Sequence, residues 1–257
     1  MRKCFCGSDK HTTIVNIPLA SFDDCILQRN IHVVQCDSCG FTFNQTHDTQ
    51  IIYDSYYSTQ NEYFMKSSPP DLDVVAAILK HTPRDGSLLD VGCGGGQLIT
   101  RLKEDGIRVT GLDTSRVCVD SLNAKGVPCI HGSVFTTPID EQWDVVTCCH
   151  VLEHIIDLKY FVSKLATLVK PSGKLYIEVP DSERYTASTP FQDYNLEHVN
   201  HFTRESLVAL FKPFMKCVEF SERNIELADG SLYPAIYCVF EFPRANNYVH
   251  DSKMEMD

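Results

Sequence analysis

Three glycines at alternate positions form the most distinctive chemical motif of the chain. Gly92, Gly94 and Gly96 follow the apolar run 88–91. Glycine lacks a Cβ atom, so its main chain can approach a ligand closely and adopt positive φ values. A dinucleotide fingerprint would place its third glycine where this chain has Gln97, and no Gly-Lys-Ser/Thr follows as in a triphosphate-binding loop. The motif therefore predicts a nucleotide-like ligand of another kind.

A carboxylate ends the next predicted strand. Asp113 follows the run 107–112, and a carboxylate there can accept hydrogen bonds from two ribose hydroxyls. Because several nucleoside ligands share this contact, Asp113 predicts a ribose without naming the ligand.

Four of the twelve cysteines form two close pairs, Cys4 with Cys6 and Cys36 with Cys39. Two such pairs about 30 residues apart are typical of a tetrahedral zinc site, and four protein ligands would make the zinc structural. The first pair is spaced C-x-C where C-x-x-C is usual, so His11 is an alternative donor to Cys4. We expect the other cysteines to be thiols in a reducing compartment.

The composition is that of an ordinary soluble protein of 257 residues, 43% hydrophobic and 22% charged. The net charge of −11 disfavours a nucleic-acid partner, which would need an excess of lysine and arginine. Neither a membrane-spanning run nor a secretory h-region is evident. We therefore expect a cytoplasmic protein with no membrane partner.

Strand and helix patterns alternate from residue 71 onward, which predicts a doubly wound parallel α/β sheet with its ligand at the carboxyl ends of the strands. Strands are predicted at 88–91, 107–112, 127–130, 143–148, 174–179, 217–221 and 232–242, and helices at 95–104, 158–169 and 205–211. The predicted organisation is a zinc module at 1–45, a tyrosine-rich arm or lid at 46–70, a main domain at 71–245 and a polar tail at 246–257.

Several motifs together resemble the class I S-adenosylmethionine (SAM)-dependent methyltransferases. They are Leu89–Gly96, Gly111–Asp113, Asp144–Val146, His150–His154 and Leu168–Leu175. The resemblance implies a seven-stranded Rossmann-like sheet, SAM as cofactor and transfer of its methyl group to an acceptor. The cofactor-binding residues that it implies are Asp90, Gly92, Cys93, Gly94, Gly96, Gln97, Asp113, Thr114, Ser133, Val134, His150, Glu153 and His154. Ser133 stands where the family usually has an aspartate beside adenine.

The segment His150-x-x-Glu153-His154 also fits the H-x-x-E-H pattern of some zinc peptidases. A peptidase would need this segment inside a long helix. Here it follows a buried strand, so we expect His150 and His154 to line a pocket wall instead.

A narrower resemblance is to the sugar methyltransferases, including those that act on nucleotide-linked deoxysugars. It depends on the cysteine module, the tyrosine-rich arm, the 195–203 segment and Gly230–Leu232. It implies a sugar-like small-molecule acceptor, with His198 as general base beside Glu197, and His201 is the second candidate base. The family's pocket tyrosine is replaced by Asn195, with Tyr194 adjacent, and its large C-terminal domain is absent. These departures argue against C-methylation of a ketosugar and leave room for O-methylation of a sugar or another small molecule.

Two other function classes stay open at this point. One is an RNA- or protein-modifying methyltransferase that uses the zinc module for recognition. The other is a non-catalytic interaction protein with a SAM-binding fold. The histidines of the 195–203 segment could also be purely structural, and the oligomeric state is open.

Overall fold

The computed structural model describes residues 2–17, 31–45, 71–185, 194, 197–227 and 230–243. The predicted tyrosine-rich arm and polar tail lie outside the described residues. Within them the strands are β1 (His11–Ile17), β2 (Ile31–Cys36), β3 (Thr42–Asn44), β4 (Ser87–Val91), β5 (Arg108–Asp113), β6 (Cys129–His131), β7 (Trp143–Cys149), β8 (Val169–Pro180), β9 (Asn200–His201), β10 (Lys216–Glu226) and β11 (Leu232–Glu241).

Five α-helices lie between these strands in the described part of the chain. They are α1 (Leu72–His81), α2 (Gln97–Glu104), α3 (Arg116–Ala124), α4 (Leu158–Thr167) and α5 (Arg204–Phe211). Asp71 and Asp157 cap α1 and α4 by accepting main-chain N–H bonds. No described helix is long and apolar enough to cross a membrane.

The main sheet has seven strands in the order β10-β11-β8-β7-β4-β5-β6. Strands β4 to β8 pair in parallel, whereas β10 and β11 add an antiparallel pair at one edge. The chain runs outward from β4 through β5 to β6, then returns to place β7 on the other side of β4. This reversal opens a crevice at the carboxyl ends of β4 and β7, where ligands of such sheets bind. The prediction of a doubly wound Rossmann-like fold is confirmed.

The N-terminal residues form a second sheet with a strand from the main domain. Its order is β1-β2-β3-β9, and Thr42 of β3 pairs with His201 of β9. Phe41 packs on Phe202 with ring centroids 5.4 Å apart, and both rings belong to the same hydrophobic core as β4, β7 and β8. The N-terminal module therefore shares a core with the domain that carries the crevice.

Several predicted boundaries differ from the structure by one to several residues, and two of them have a clear local reason. The helix expected from residue 95 begins at Gln97, because Gly96 is its N-cap in the left-handed region, with φ 75°. The strand expected at 174–179 extends from Val169 to Pro180, since Val169 already pairs with Trp143 of β7.

Candidate active site

A cavity of about 600 Å³ lies at the carboxyl ends of the parallel strands. Its wall comes from the loops after β4, β5, β6 and β7 together with the first turns of α3 and α4. The lining residues are Val91, Gly92, Gly94, Leu112, Asp113, Thr114, Ser115, Cys118, Gly132, Ser133, Val134, Phe135, Thr136, His150, Val151, His154, Ile155, Ile156, Asp157 and Phe161.

The three glycines of the loop adopt positive φ values. Gly92, Gly94 and Gly96 have φ values of 77°, 51° and 75°, a region that L side chains avoid. A Cβ atom on Gly92 would collide with the side chain of Val151, whereas one on Gly94 would meet no atom within 4 Å. Because Gly94 lines the cavity, the space beside it is open to a ligand.

Asp113 ends β5 and fixes the glycine loop. Its Oδ2 accepts a hydrogen bond from the N–H of Gly94 at 2.8 Å, and its Oδ1 accepts one from Ser115 at 2.7 Å. Burial raises the pKa of Asp113, and these main-chain donors oppose the rise. Each carboxylate oxygen has a further lone pair, so Asp113 can still accept from ribose hydroxyls.

The other residues implied by the resemblance divide into two groups. The first group, which lines the cavity, is Thr114, Ser133, Val134, His150 and His154.

The second group, which does not belong to the lining, is Asp90, Cys93, Gly96, Gln97 and Glu153. Asp90 is buried within β4 and accepts a hydrogen bond from Thr147 at 2.7 Å. Burial raises the pKa of Asp90 to about 7. Cys93 is buried with its sulfur 3.5 Å from that of Cys129, and Gln97 opens α2.

The apolar part of the wall was not predicted; it is formed by Phe135, Ile155, Ile156 and Phe161. Phe135 and Phe161 pack together with ring centroids 5.5 Å apart. A signal was present, since Phe135 comes two residues after Ser133 on the same turn. The two isoleucines directly follow the His150–His154 motif.

His150 lies directly after β7, where its backbone is strained, and its side chain contacts two buried carboxylates. Its φ of 54° is the only positive value among the described non-glycine residues. Its ring nitrogens lie 3.4 Å from Glu153 Oε1 and 3.0 Å from Glu178 Oε1. Burial alone would lower the pKa of His150, but the two carboxylates raise it to about 10. The imidazole is therefore charged at neutral pH. Tyr176 and Arg223 also donate to Glu178, a residue that sequence analysis missed.

A second set of polar side chains lies next to this pair and is called here the His–Glu cluster, Glu153, His154 and His198. One donor atom of each residue lies within 4.8 Å of the others. His154 Nδ1 lies 2.9 Å from the carbonyl oxygen of Glu197, and the two imidazole rings meet edge to face at 5.0 Å. Burial lowers the pKa of His198 to about 4, so this imidazole is neutral around pH 7.

The predicted catalytic residues of the 194–201 segment are placed in different ways. His198 belongs to the His–Glu cluster, but the carboxylate near its ring is that of Glu153, while Glu197 contributes its main-chain carbonyl. His201 is buried in β9 with Nε2 3.1 Å from Asn44 Oδ1, and Tyr194 packs edge to face on it at 4.8 Å. The cavity lining contains none of the four predicted catalytic residues, Tyr194, Glu197, His198 and His201.

The segment between His150 and His154 forms a 3-10 turn, Leu152–His154. A peptidase of the H-x-x-E-H type would carry both histidines on one long helix. In this chain His150 precedes the turn, His154 ends it, and both side chains line the cavity.

The four cysteines of the N-terminal pairs meet at one point. The sulfur of Cys4 lies 3.4 Å from that of Cys39, and the sulfur of Cys6 lies 3.6 Å from that of Cys36. A tetrahedral site with zinc–sulfur bonds of about 2.3 Å would separate sulfurs by about 3.8 Å, so the arrangement fits zinc. His11 does not belong to the set; its ring packs edge to face on Phe43 at 5.5 Å.

Fold and site together define a class of protein. A glycine loop after the first parallel strand, a carboxylate after the second and this strand order are those of a SAM-dependent methyltransferase. A family model described as a methyltransferase domain matches residues 57–214. The chain belongs to this methyltransferase family.

Comparison with individual proteins gives partial matches in sequence and broad matches in fold. The mitochondrial ubiquinone biosynthesis O-methyltransferase of Schizosaccharomyces pombe is 36% identical over 100 residues, which are 35% of this chain and 36% of that protein. The corresponding enzyme of Coxiella burnetii is 36% identical over 98 residues, 35% of this chain and 41% of that protein. The matched segment thus spans well under half of either relative.

Several solved structures cover most of this chain. One of them is the 1,6-didemethyltoxoflavin-N1-methyltransferase of Burkholderia thailandensis with its substrate and S-adenosylhomocysteine, at a TM-score of 0.58 and 17% identity, covering 87% of this chain and 99% of that one. At this identity the likeness shows the fold.

Proposed function

We propose that this methyltransferase transfers the methyl group of SAM to a hydroxyl oxygen of a small acceptor. The observation that carries the proposal is the placement of groups around the cavity. The glycine loop after β4 is central, Asp113 after β5 is on one side, and His150 and His154 after β7 are on the other. One side thus offers a ribose contact and the other offers polar side chains to an acceptor.

The chemistry required is a single displacement. The acceptor oxygen attacks the methyl carbon, the carbon–sulfur bond breaks, and its electron pair neutralises the sulfonium to give S-adenosylhomocysteine. The hydroxyl proton must leave, and the rate depends mainly on alignment and exclusion of water. His198, the predicted base, has a neutral imidazole whose lone pair can be offered to a proton or to a cation.

A sugar or nucleotide sugar is the predicted acceptor class, and its support is the resemblance described from the sequence. Support for an oxygen acceptor comes from the names of the curated relatives. A phenolic ring is the second candidate, favoured by the apolar wall that contains Phe135, Ile155 and Phe161. The net charge of −11 disfavours RNA.

The proposal includes a structural zinc ion held by Cys4, Cys6, Cys36 and Cys39. A closed set of four thiolates leaves no position for substrate, so this zinc would order the N-terminal sheet. We also retain the predicted cytoplasmic location, because none of the eleven described cysteines forms a disulfide.

The test is formation of S-adenosylhomocysteine with SAM and separate panels of nucleotide sugars, hydroxylated aromatic compounds, RNA and protein. We expect turnover with one of the two small-molecule panels and none after Asp113→Ala. The matched control is Asp120→Ala, an exposed position on α3, which should keep wild-type activity. Turnover confined to RNA or protein would contradict the proposal.

A further inference from the structure

We propose that the His–Glu cluster is a binding site for one divalent transition-metal cation beside the methyl-donor cavity. Two imidazoles and one carboxylate are donors that Mn²⁺, Fe²⁺, Co²⁺ and Zn²⁺ accept. This site is separate from the cysteine site and differs from it in donor type. Cation binding does not depend on the proposed function, but the role argued for the cation does.

The three side chains come from two distant segments that the fold brings together. Glu153 and His154 belong to the turn after β7, and His198 precedes β9. Their donor atoms lie within 4.8 Å of one another. A cation bonded at about 2.1 Å would bring such atoms to within roughly 3 to 4 Å, so a small side-chain adjustment completes the site.

Glu153 provides an independent observation that points to a ligand. The residue is 1% exposed, and its Oε2 atom has no hydrogen-bond partner among the described residues. The other oxygen, Oε1, lies 3.4 Å from His150 Nδ1 and 3.8 Å from His154 Nε2. A buried carboxylate oxygen left without a partner is destabilising, and a cation bound by both oxygens of Glu153 would remove this cost.

The hydrogen bond of His154 sets the tautomer that a metal needs. A carbonyl oxygen can only accept, so Nδ1 of His154 donates to Glu197 at 2.9 Å. In a neutral ring the lone pair is then on Nε2, which lies 3.8 Å from Glu153 Oε1. Metal-bound histidines are commonly held by such a bond from the other ring nitrogen.

Three protein ligands leave open positions, and His154 also lines the cavity. An acceptor hydroxyl could occupy one of these positions. Coordination lowers the pKa of an oxygen ligand, so the hydroxyl would lose its proton to water before it attacks the methyl carbon. In this role the imidazoles act as ligands, and the cation both orients and activates the acceptor.

The experiment is titration of the full chain with Mn²⁺ alone, after its cysteine site has been filled with zinc and excess metal removed. Mn²⁺ prefers oxygen and imidazole donors to thiolates. We expect one Mn²⁺ per chain by electron paramagnetic resonance, with magnetic coupling to imidazole nitrogen. Glu153→Gln and His198→Asn should each weaken binding at least tenfold, while Glu226→Gln, at an exposed position on β10, should not.

Thermal unfolding and SAM affinity of each variant show whether it is folded. Absence of binding to the wild-type protein at millimolar Mn²⁺, unchanged binding in both folded variants, or a signal without nitrogen coupling would overturn the site. Methyl transfer at the same rate with and without Mn²⁺ would contradict the role of the cation and leave the proposed function standing. If Mn²⁺ binds but no small acceptor is methylated, the proposed function would be contradicted and the cation site would stand.

Discussion

The Nδ1 atom of His154 lies 2.9 Å from the carbonyl oxygen of Glu197. This bond ties the turn after β7 to the segment before β9, 43 residues further along the chain. Asn200 strengthens the same link by donating to the carbonyls of Leu152 and Ile155 at 2.7 Å each. His198 is thus held against Glu153 by hydrogen bonds between side chains and main-chain carbonyls on both sides of it.

Replacement of His198 by alanine should lower turnover without changing SAM binding. The residue belongs to the His–Glu cluster but not to the cavity lining. Loss of a group that activates the acceptor costs roughly 10²- to 10⁴-fold in rate. Steady-state kinetics and calorimetric titration with SAM separate the two effects. Unchanged turnover in the folded variant would show that His198 is structural.

Alanine at two positions of the glycine loop should have different consequences. In Gly92→Ala the new Cβ atom would clash with Val151, so we expect a loss of folding stability beyond the roughly 1 to 2 kcal/mol of a left-handed alanine. In Gly94→Ala nothing lies within 4 Å of the Cβ position. This variant should stay folded but bind SAM at least tenfold more weakly. Equal SAM affinity of Gly94→Ala and wild type would mean that the cofactor does not pass this residue.

Cys39→Ser should remove zinc from the N-terminal site. The sulfur of Cys39 lies 3.4 Å from that of Cys4, and three thiolates hold zinc less tightly than four. We expect about one zinc per chain in the wild type by elemental analysis and much less in the variant. Cys217→Ser, on β10, is the matched control and should keep its zinc. Wild-type protein that folds without any metal would contradict the zinc proposal.

Acid should weaken the link between β4 and β7 over a defined pH range. Asp144 accepts hydrogen bonds at 2.9 Å from the N–H and hydroxyl of Ser87 and from Lys170. Burial would raise the pKa of Asp144, but Lys170 and Ser87 outweigh it and lower the pKa from 3.8 to about 2. Because the folded-state pKa is the lower one, the stabilisation is complete above pH 4 to 5 and is lost as the pH falls toward 2.

Asp144→Asn should therefore reduce the free energy of unfolding at pH 7 by about 1 to 3 kcal/mol. Between pH 5 and 2 the variant should show a weaker pH dependence than the wild type. Urea denaturation at a series of pH values measures both quantities, and Asp120→Asn, at an exposed position on α3, is the control. Parallel curves for Asp144→Asn and wild type would exclude this contribution.

Patterns that are local in sequence were predictable. The strand and helix alternation, the glycine loop and Asp113 follow from short runs of residues, and the structure confirms the fold that they predict. The two cysteine pairs also met as expected.

Relationships that depend on tertiary contacts were not predictable in the same way. The sequence places Glu197 beside His198, yet the carboxylate that packs near His198 is that of Glu153, 45 positions earlier. The pairing of β3 with the two-residue strand β9 has no periodicity to reveal it. Glu178 did carry a signal, because a charge within the apolar run 175–179 of β8 needs a partner, here His150.

The most direct test of methyl transfer to oxygen is nuclear magnetic resonance of the product formed from SAM labelled with carbon-13 in its methyl group. With an accepted sugar or phenol, the account predicts a single new methyl signal at the chemical shift of a methyl ether, coupled through oxygen to the acceptor carbon. A label attached to nitrogen or carbon of the acceptor, or found only in RNA or protein, would contradict it.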